Sequence, residues 1–286
     1  MEEIKNCMIR GVFETPNRRG KTIQSNIERD YIEFLLSNIP ANEFTKRFKI
    51  VFDCGNGMAG LLLRKLAERL PIDFEILYED IDMTFPNHEA NPAKNETLVS
   101  LRRRVLESGA DLGVAIDGDG DRVGFLTHEG ERVPADFITA LLGSFFAHKE
   151  PGAKVVYDIR SSKIVPEVIE EAGGIAIKSK IGYPFLRALM RENEAVFGGE
   201  VSSHYYFRSF FCADSALFTF LQILMILSES GKTLKELAAP FNKYFSSGEL
   251  NRKVADRERA IDKIAEHFKD AEEISYLDGF LASYPD

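Results

Sequence analysis

Two stretches of this chain repeat one pattern. "KIVFDCGNGMAGLLLRKLAERL" begins at Lys49, and "KVVYDIRSSKIVPEVIEEAGG" begins at Lys154, 105 residues later. Each opens with a short β-branched and aromatic run that closes on an aspartate, Asp53 in one and Asp158 in the other. Each then passes through a polar turn into an amphipathic helical pattern. Two such strand–helix starts at domain-sized spacing predict two similar α/β domains in tandem. Strand–turn–helix units are common, so a chance likeness is the competing reading. The 286 residues suit two or more domains, and 44% apolar content is enough to bury real cores.

The remaining elements fall around this frame. A helix is expected from Ile27 to Ile39 after a polar lead, in a stretch too short to be a domain. Thr97 to Glu107 has helical spacing and ends at Gly109, a C-cap. "DLGVAI" and "VGFLT" read as strands on either side of an Asp/Gly loop, "HEGE" as a turn into "RVP", and Pro134 as the opening of a helix through His148. "KEPGAK" marks a boundary. In the second unit Ser161 or Ser162 can cap a helix ending at Gly173-Gly174. "IAIK" is a strand, Pro184 to Arg191 a helix and "AVFGG" a strand. A long apolar helix is expected from Ala213 to Ser228, and Thr233 and Glu236 have capping-box spacing. From Glu249 the character changes: "ELNRKV" reads as a strand, Arg257 to Phe268 as a helix and "ISYLDGFLASYP" as a hairpin turning at Asp278-Gly279. The fold class is therefore α/β, with tandem similar α/β domains of mixed sheets and the start of a further α+β domain. The expected divisions are 1–46, 47–150, 151–246 and 247–286.

Charge and cysteine content narrow the function classes. The net charge is −9 and neither half is strongly basic, which argues against a nucleic-acid partner. Small phosphorylated ligands need only a few local cations and stay open. Cys7, Cys54 and Cys212 are odd in number and far apart, so neither a disulfide framework nor a zinc site is expected and a reducing compartment is the natural reading. "MEEIKNCMIR" has no apolar signal core, and the longest apolar run, Ala216 to Leu227, suits a buried helix better than a membrane span. The expectation is a soluble, cytoplasmic protein with no membrane partner.

The loop in "GVAIDGDGDRVGFL" carries the sharpest chemistry. Asp117, Asp119 and Asp121 alternate with glycines that permit a tight turn. Three carboxylates so close repel unless a cation lies between them, and hard oxygen ligands select Mg2+ or Ca2+. An EF-hand also reads D-x-D-x-D, but Arg122 stands where that loop needs Gly, His128 where it needs Glu, and strands replace the flanking helices. A solvated acidic turn is the plain alternative. The end of a strand in an open α/β sheet is where ligands bind, and Arg122 can neutralise the carboxylates or reach a phosphate. Downstream, "FGGEVSSHYYF" clusters Glu200, Ser202, Ser203 and His204 at a turn, groups that suit sugar hydroxyls. A polar loop beside an aromatic cluster is the alternative there.

"DGDGDR", the later "GE-x-S-x-H" pattern and "FPNHEANP" (Phe85 to Pro92) together resemble the α-D-phosphohexomutase family, in its bacterial phosphomannomutase/phosphoglucomutase form. The likeness runs from about Lys49 to the C-terminus. It implies four domains around a cleft, of which this chain would hold the tail of the first with a linker helix, the metal-binding second, the sugar-binding third and the start of the phosphate-binding fourth. It implies Mg2+ on Asp117, Asp119 and Asp121, with a phosphoserine as further ligand. Arg122 would lie near the transferring phosphate, Glu200 and Ser202 would take sugar hydroxyls, and His204 would support that loop. The substrates implied are glucose or mannose 1- and 6-phosphates, interconverted through a hexose bisphosphate. Phosphoryl transfer asks mainly for positioning and charge neutralisation, which these residue types can supply.

Some family features differ here. No T-A-S-H-N-P-like serine loop occurs in residues 1–48, and no C-terminal phosphate loop is seen, so the chain alone is expected to be inactive. The alternative function is a non-catalytic fragment that binds Mg2+ and sugar phosphate, or one subunit of a split enzyme. Tyr183 stands where many members have His, and a phenol is a poor proton carrier near neutral pH. Arg160 stands where several have Lys, and Ser203 where Gly is usual. Both Tyr183 and Arg160 are carried as substrate-binding residues. Plain readings cover the rest: Arg102, Arg103 and Arg104 as a solvated face, Cys54 as a buried small residue, and Gly55 and Gly57 as a weak GxG signal for a phosphate cradle. His128, His148 and His267 lack ligand partners at useful spacing.

Overall fold

The computed structural model describes residues 2–11, 20–39, 44, 46–248 and 250–284. In chain order it holds α1 (Glu2–Arg10), α2 (Glu28–Ser37), β1 (Phe48–Asp53), α3 (Gly60–Ala67), β2 (Ile72–Leu77), α4 (Val99–Ser108), β3 (Leu112–Ile116), β4 (Val123–Thr127) and β5 (Arg132–Val133). Next come α5 (Ala135–Lys149), β6 (Lys154–Asp158), α6 (Ile164–Glu171), β7 (Ile175–Ser179), α7 (Tyr183–Glu192), β8 (Phe197–Gly199), β9 (Tyr205–Phe207) and β10 (Ala213–Asp214). Last are α8 (Ala216–Ser230), α9 (Leu234–Ala238), α10 (Arg257–His267), β11 (Glu273–Ser275) and β12 (Leu281–Ser283).

The repeat seen in the sequence is a repeat of topology. One five-stranded sheet runs β2-β1-β3-β4-β5 and the other β7-β6-β8-β9-β10, the same order moved on by one unit. In each, the first strand pairs in parallel with two neighbours and the last three strands pair antiparallel. Parallel pairing requires a crossover, and α3, α4, α6 and α7 supply the four. β3 is buried along its whole length and β6 on all but its first residue, which is why both read as unbroken apolar runs rather than alternating ones. The fold class is as expected, with β11 and β12 forming a small separate hairpin.

Helix α8 joins the two units. Every residue from Ala216 to Ser228 is buried, as a helix apolar on all sides must be. Phe220 meets Phe52 of β1 edge-on with ring centroids 4.9 Å apart, and Phe218 meets Phe207 of β9 at 4.8 Å. One apolar core thus runs through both sheets. Burying each phenylalanine is worth roughly 1.5–3 kcal/mol. Helix α5 lies on the second sheet: a Cβ placed on Gly199 would stand 2.3 Å from Thr139 Oγ1, so only glycine lets β8 approach.

Several local expectations need correction. The apolar helix begins at Ala216 rather than Ala213, because Ser215 caps it by accepting the Phe218 N–H (3.3 Å), and Ala213–Asp214 is a strand. Leu250 to Val254 forms no strand. No neighbouring strand pairs with it among the described residues, and a lone strand has no ladder to stabilise it. Glu249, the first residue of that expected strand, lies outside the described residues. Lys163, not Ser161 or Ser162, occupies the N-cap of α6, although Ser162 Oγ accepts the Ile164 N–H at 3.3 Å. The polar lead contains α1, which buries none of its residues. Arg102 and Arg104 are not merely solvated: Arg102 Nε donates to the Gly130 carbonyl (2.8 Å) and Arg104 Nε to Glu75 (2.6 Å). Cys54 is buried, and burial pushes its thiol up to about 12. All three cysteines are free. No helix among the described residues is long and apolar enough to cross a membrane.

Candidate functional site

The Asp/Gly loop is wound around Asp117. That carboxylate is 0% exposed, and its Oδ1 accepts the backbone N–H groups of Gly120 (3.0 Å), Asp121 (3.1 Å) and Arg122 (3.1 Å). Its Oδ2 accepts from Arg122 Nε at 2.7 Å. Gly120 sits at φ 85°, where a side chain would strain the turn. The result brings one oxygen from each of Asp117, Asp119 and Asp121 within 4.8 Å of one another. Asp121 Oδ1 is buried without a hydrogen bond, with His204 Nε2 at 3.5 Å and Arg122 Nε at 3.9 Å. Three converging carboxylates with an orphaned buried oxygen fit a hard divalent cation.

Two neighbours hold the loop from outside. The turn after β1 lies against it: Met58 N donates to the Gly118 carbonyl (2.9 Å), and a Cβ on Gly57 would fall 2.7 Å from that oxygen. Of the glycines of "DCGNG", Gly57 therefore serves the aspartate loop, while Gly55 makes room for Ala90, where an added Cβ would fall 2.8 Å from the Ala90 Cβ. From the other side, the first N–H of α8, on Ala216, donates to the Gly120 carbonyl at 3.0 Å.

The Glu200–His204 loop joins the aspartate loop directly. Arg122 and His204 form an antiparallel bridge, and Val123 N donates to the Ser203 carbonyl at 3.1 Å. Glu200 is 3% exposed. Its Oε1 accepts the Gly182 N–H (3.0 Å) and its Oε2 the Tyr206 hydroxyl (2.8 Å). Ser202 Oγ lies 2.8 Å from His204 Nδ1. Burial works against charge on His204, but Asp121, Glu200 and Asp214 outweigh it and raise the imidazole above its ordinary value. In return His204 holds the Asp121 carboxyl below the usual range. Ser203 takes φ 73°, the left-handed region that favours the glycine usual at this position in the resembled family.

Arg160 and Tyr183 stand at the edge of this arrangement. Asp158, fully buried at the end of β6, accepts Arg160 N (2.7 Å), Arg160 Nη2 (2.8 Å) and Val201 N (2.9 Å), and so ties the Arg160 turn to the Glu200 loop. Tyr183 is exposed and bonded by Arg187, and it reaches the site through its neighbour Gly182 and through its ring, 6.1 Å from that of Tyr206. The structure thus gathers Asp117, Asp119, Asp121, Arg122, Glu200, Ser202 and His204, and links Arg160 and Tyr183 through intermediaries.

Sequence reasoning assigned no role to four participants. Asp214 brings a carboxylate oxygen within 4.8 Å of ligand atoms of Asp121 and His204, and burial raises its pKa. Nothing in "CADSA" signals that position. Asp158 and its counterpart Asp53 were visible as the repeated strand-ending aspartates. Asp53 accepts the Gly55 N–H (2.9 Å) and pairs with His88 Nε2 (3.0 Å), as Asp158 does with Arg160. His88 lay within "FPNHEANP" without a recognised partner.

Two copies of one open α/β unit, meeting loop to loop at the ends of their strands where open sheets bind ligands, define a tandem α/β protein whose candidate site lies between the repeats. The sequence matches the phosphoglucomutase/phosphomannomutase α/β/α domain II over residues 29–130 and domain III over residues 134–244, and the chain belongs to the phosphoglucomutase/phosphomannomutase family. It is 39% identical over 256 residues to the phosphohexose mutases protein of Xanthomonas campestris pv. campestris (strain B100), covering 89% of this chain and 57% of that protein. It is 37% identical over 266 residues to a phosphomannomutase of Methanocaldococcus jannaschii, covering 93% and 58%. The crystal structure of a phosphoglucomutase/phosphomannomutase family protein from Burkholderia thailandensis superposes with a TM-score of 0.86 at 29% identity, covering all of this chain and 61% of that one. The chain therefore spans less than two thirds of these relatives.

Proposed function

We propose that these residues form the metal- and sugar-binding centre of a phosphohexomutase acting on glucose or mannose 1- and 6-phosphates by way of a hexose bisphosphate. The observation that carries this reading is the backbone bridge between Arg122 and His204, which sets a hard-cation carboxylate cluster against a loop of hydroxyl-reading groups. In this reading the unit over 47–150 supplies the metal loop and the unit over 151–246 the sugar loop. The free cysteines support a reducing compartment, the cytoplasm.

Asp117, Asp119 and Asp121 would hold Mg2+, and Asp117 also fixes the loop's shape. Bound there, Mg2+ would offset negative charge on the phosphoryl group in transfer. The Arg122 Nε edge is taken by Asp117, which leaves its other guanidinium N–H groups for a substrate phosphate. Ser202 and Glu200 would orient the sugar through its hydroxyls, with Glu200 held in place by Gly182 and Tyr206. His204 keeps Ser202 and Asp121 in register. Arg160 and Tyr183 would flank the sugar phosphate. The serine that carries the phosphoryl group in the resembled family has no counterpart loop in residues 1–48, so turnover by these residues alone is expected to be absent while binding is present.

Isothermal titration calorimetry tests the proposal. The chain is expected to bind Mg2+, and Asp119→Asn to weaken it by about tenfold or more, a loss of ~1.4 kcal/mol or more. Mannose 1-phosphate is expected to bind the Mg2+-loaded chain and to lose affinity in Ser202→Ala. No Mg2+ binding at millimolar concentration, or affinity that Asp119→Asn leaves unchanged, would refute it.

A further inference from the structure

We propose that the cleft between the β4–β5 turn and the α9 region is a second binding site, for a small organic anion, centred on Arg132. A cavity of ≈ 490 Å³ opens there, walled by Arg132, Val133, Phe137, Lys235, Ala238 and Asn242. That volume lies within the roughly 300–1,000 Å³ usual for small-molecule sites. It lies away from the aspartate loop. Thr127, on its wall, ends the strand that Val123 begins beside that loop, roughly 13 Å away at about 3.3 Å per residue.

Arg132 is what makes the cavity a site. Its backbone pairs with Leu126 in the β4–β5 ladder, and its side chain is half-buried. Among the described residues, its guanidinium makes no hydrogen bond and no ion pair. Burial presses its pKa below the usual arginine range, with Tyr205 and Asp136 acting the other way. A guanidinium stays charged even so, with five donors in a fixed fork. Lys235, on the facing wall, is matched by Glu129 and by Glu131 at 3.3 Å, so the unmatched cation is Arg132. An oxyanion fits that fork in a planar, two-point contact. The rest of the wall combines an apolar side, Val133, Ala238, Ala239 and Phe137, whose ring is set edge-on against Phe241 at 6.0 Å, with the polar Thr127, Asn242 and Glu131, the last paired with Lys235. The ligand that matches is a carboxylate or phosphate ester on an apolar body.

Calorimetry on the 286-residue chain without Mg2+ tests this with phenyl phosphate, benzoate, inorganic phosphate and benzyl alcohol. Phenyl phosphate or benzoate is expected to bind saturably at millimolar concentration, whichever is tighter naming the oxyanion. Inorganic phosphate and benzyl alcohol are each expected to bind at least about tenfold more weakly, and Arg132→Gln to lose about tenfold, a difference of ~1.4 kcal/mol. Asp119→Asn is expected to leave this binding intact, which separates the result from the fate of the metal loop. Arg132→Lys keeps the charge but not the fork and is expected to fall between. If Arg132→Gln does not fold, Arg132→Lys binding at wild-type strength refutes the proposal. Absence of saturable binding, binding unchanged in Arg132→Gln, or binding lost only in Asp119→Asn also refutes it.

Discussion

Asp158→Asn tests whether one buried carboxylate at the end of β6 sets the position of the Glu200 loop. Oδ1 accepts Arg160 N at 2.7 Å, while Oδ2 accepts Val201 N at 2.9 Å and Arg160 Nη2 at 2.8 Å. An asparagine keeps the shape but has one acceptor oxygen. With that oxygen toward Val201, the new NH2 faces the Arg160 N–H; turned the other way, it faces Val201 N–H and Arg160 Nη2. In either orientation a backbone N–H loses its acceptor and meets a donor, at about 1–3 kcal/mol. The Arg160 side chain is 38% exposed, so losing its ion pair adds no more than about 1 kcal/mol. The expected loss is about 1–4 kcal/mol, against the ~5–15 kcal/mol typical of a folded domain. Urea unfolding of the two proteins reads the total. Amide exchange at Val201 reads the local effect, and it is expected to speed by about tenfold or more. A stability within about 0.5 kcal/mol of wild type, together with unchanged Val201 exchange, would show that Asp158 does not anchor this loop.

Gly57→Ala places a Cβ 2.7 Å from the Gly118 carbonyl and 2.8 Å from its Cα. Backbone cannot yield as a side-chain tip can, so a loss of about 1–3 kcal/mol is expected by thermal unfolding, with weaker Mg2+ binding by calorimetry. Unchanged values in both assays would refute the cradle. His88 carries a pH dependence: its hydrogen bond to Asp53, acting against burial, raises its pKa above the ordinary imidazole value. The stability it contributes is therefore full below an unfolded-state pKa of about 6.5 and is lost as pH rises through the raised folded value. The urea stability gap between wild type and His88→Gln is expected to be larger near pH 6 than near pH 9, and equal gaps would count against the pair.

What the sequence made legible follows from how local each signal is. The strands around the aspartate loop were readable because burial on both faces demands an apolar run, and the loop because alternating Asp and Gly suits little except a tight acidic turn. The tandem repeat was readable because Asp53 and Asp158 do the same work, each accepting an N–H two residues on and pairing with a basic side chain, His88 or Arg160. The errors came where a distant partner decides. Ala213 and Asp214 suit a helix start as well as a strand end, and only the ladder with β9 and the Ser215 cap separate them. Leu250 to Val254 has strand composition but no partner strand among the described residues. The role of Asp214 beside Asp121 and His204 depends on two loops being brought together by the Arg122–His204 bridge, with the start of α8 against one of them. That helix packs Phe220 on one sheet and Phe218 on the other, and its first N–H meets the Gly120 carbonyl. The same apolar helix that stabilises the fold thereby backs the carboxylate loop, while the Arg122–His204 bridge ties that loop directly to the histidine loop.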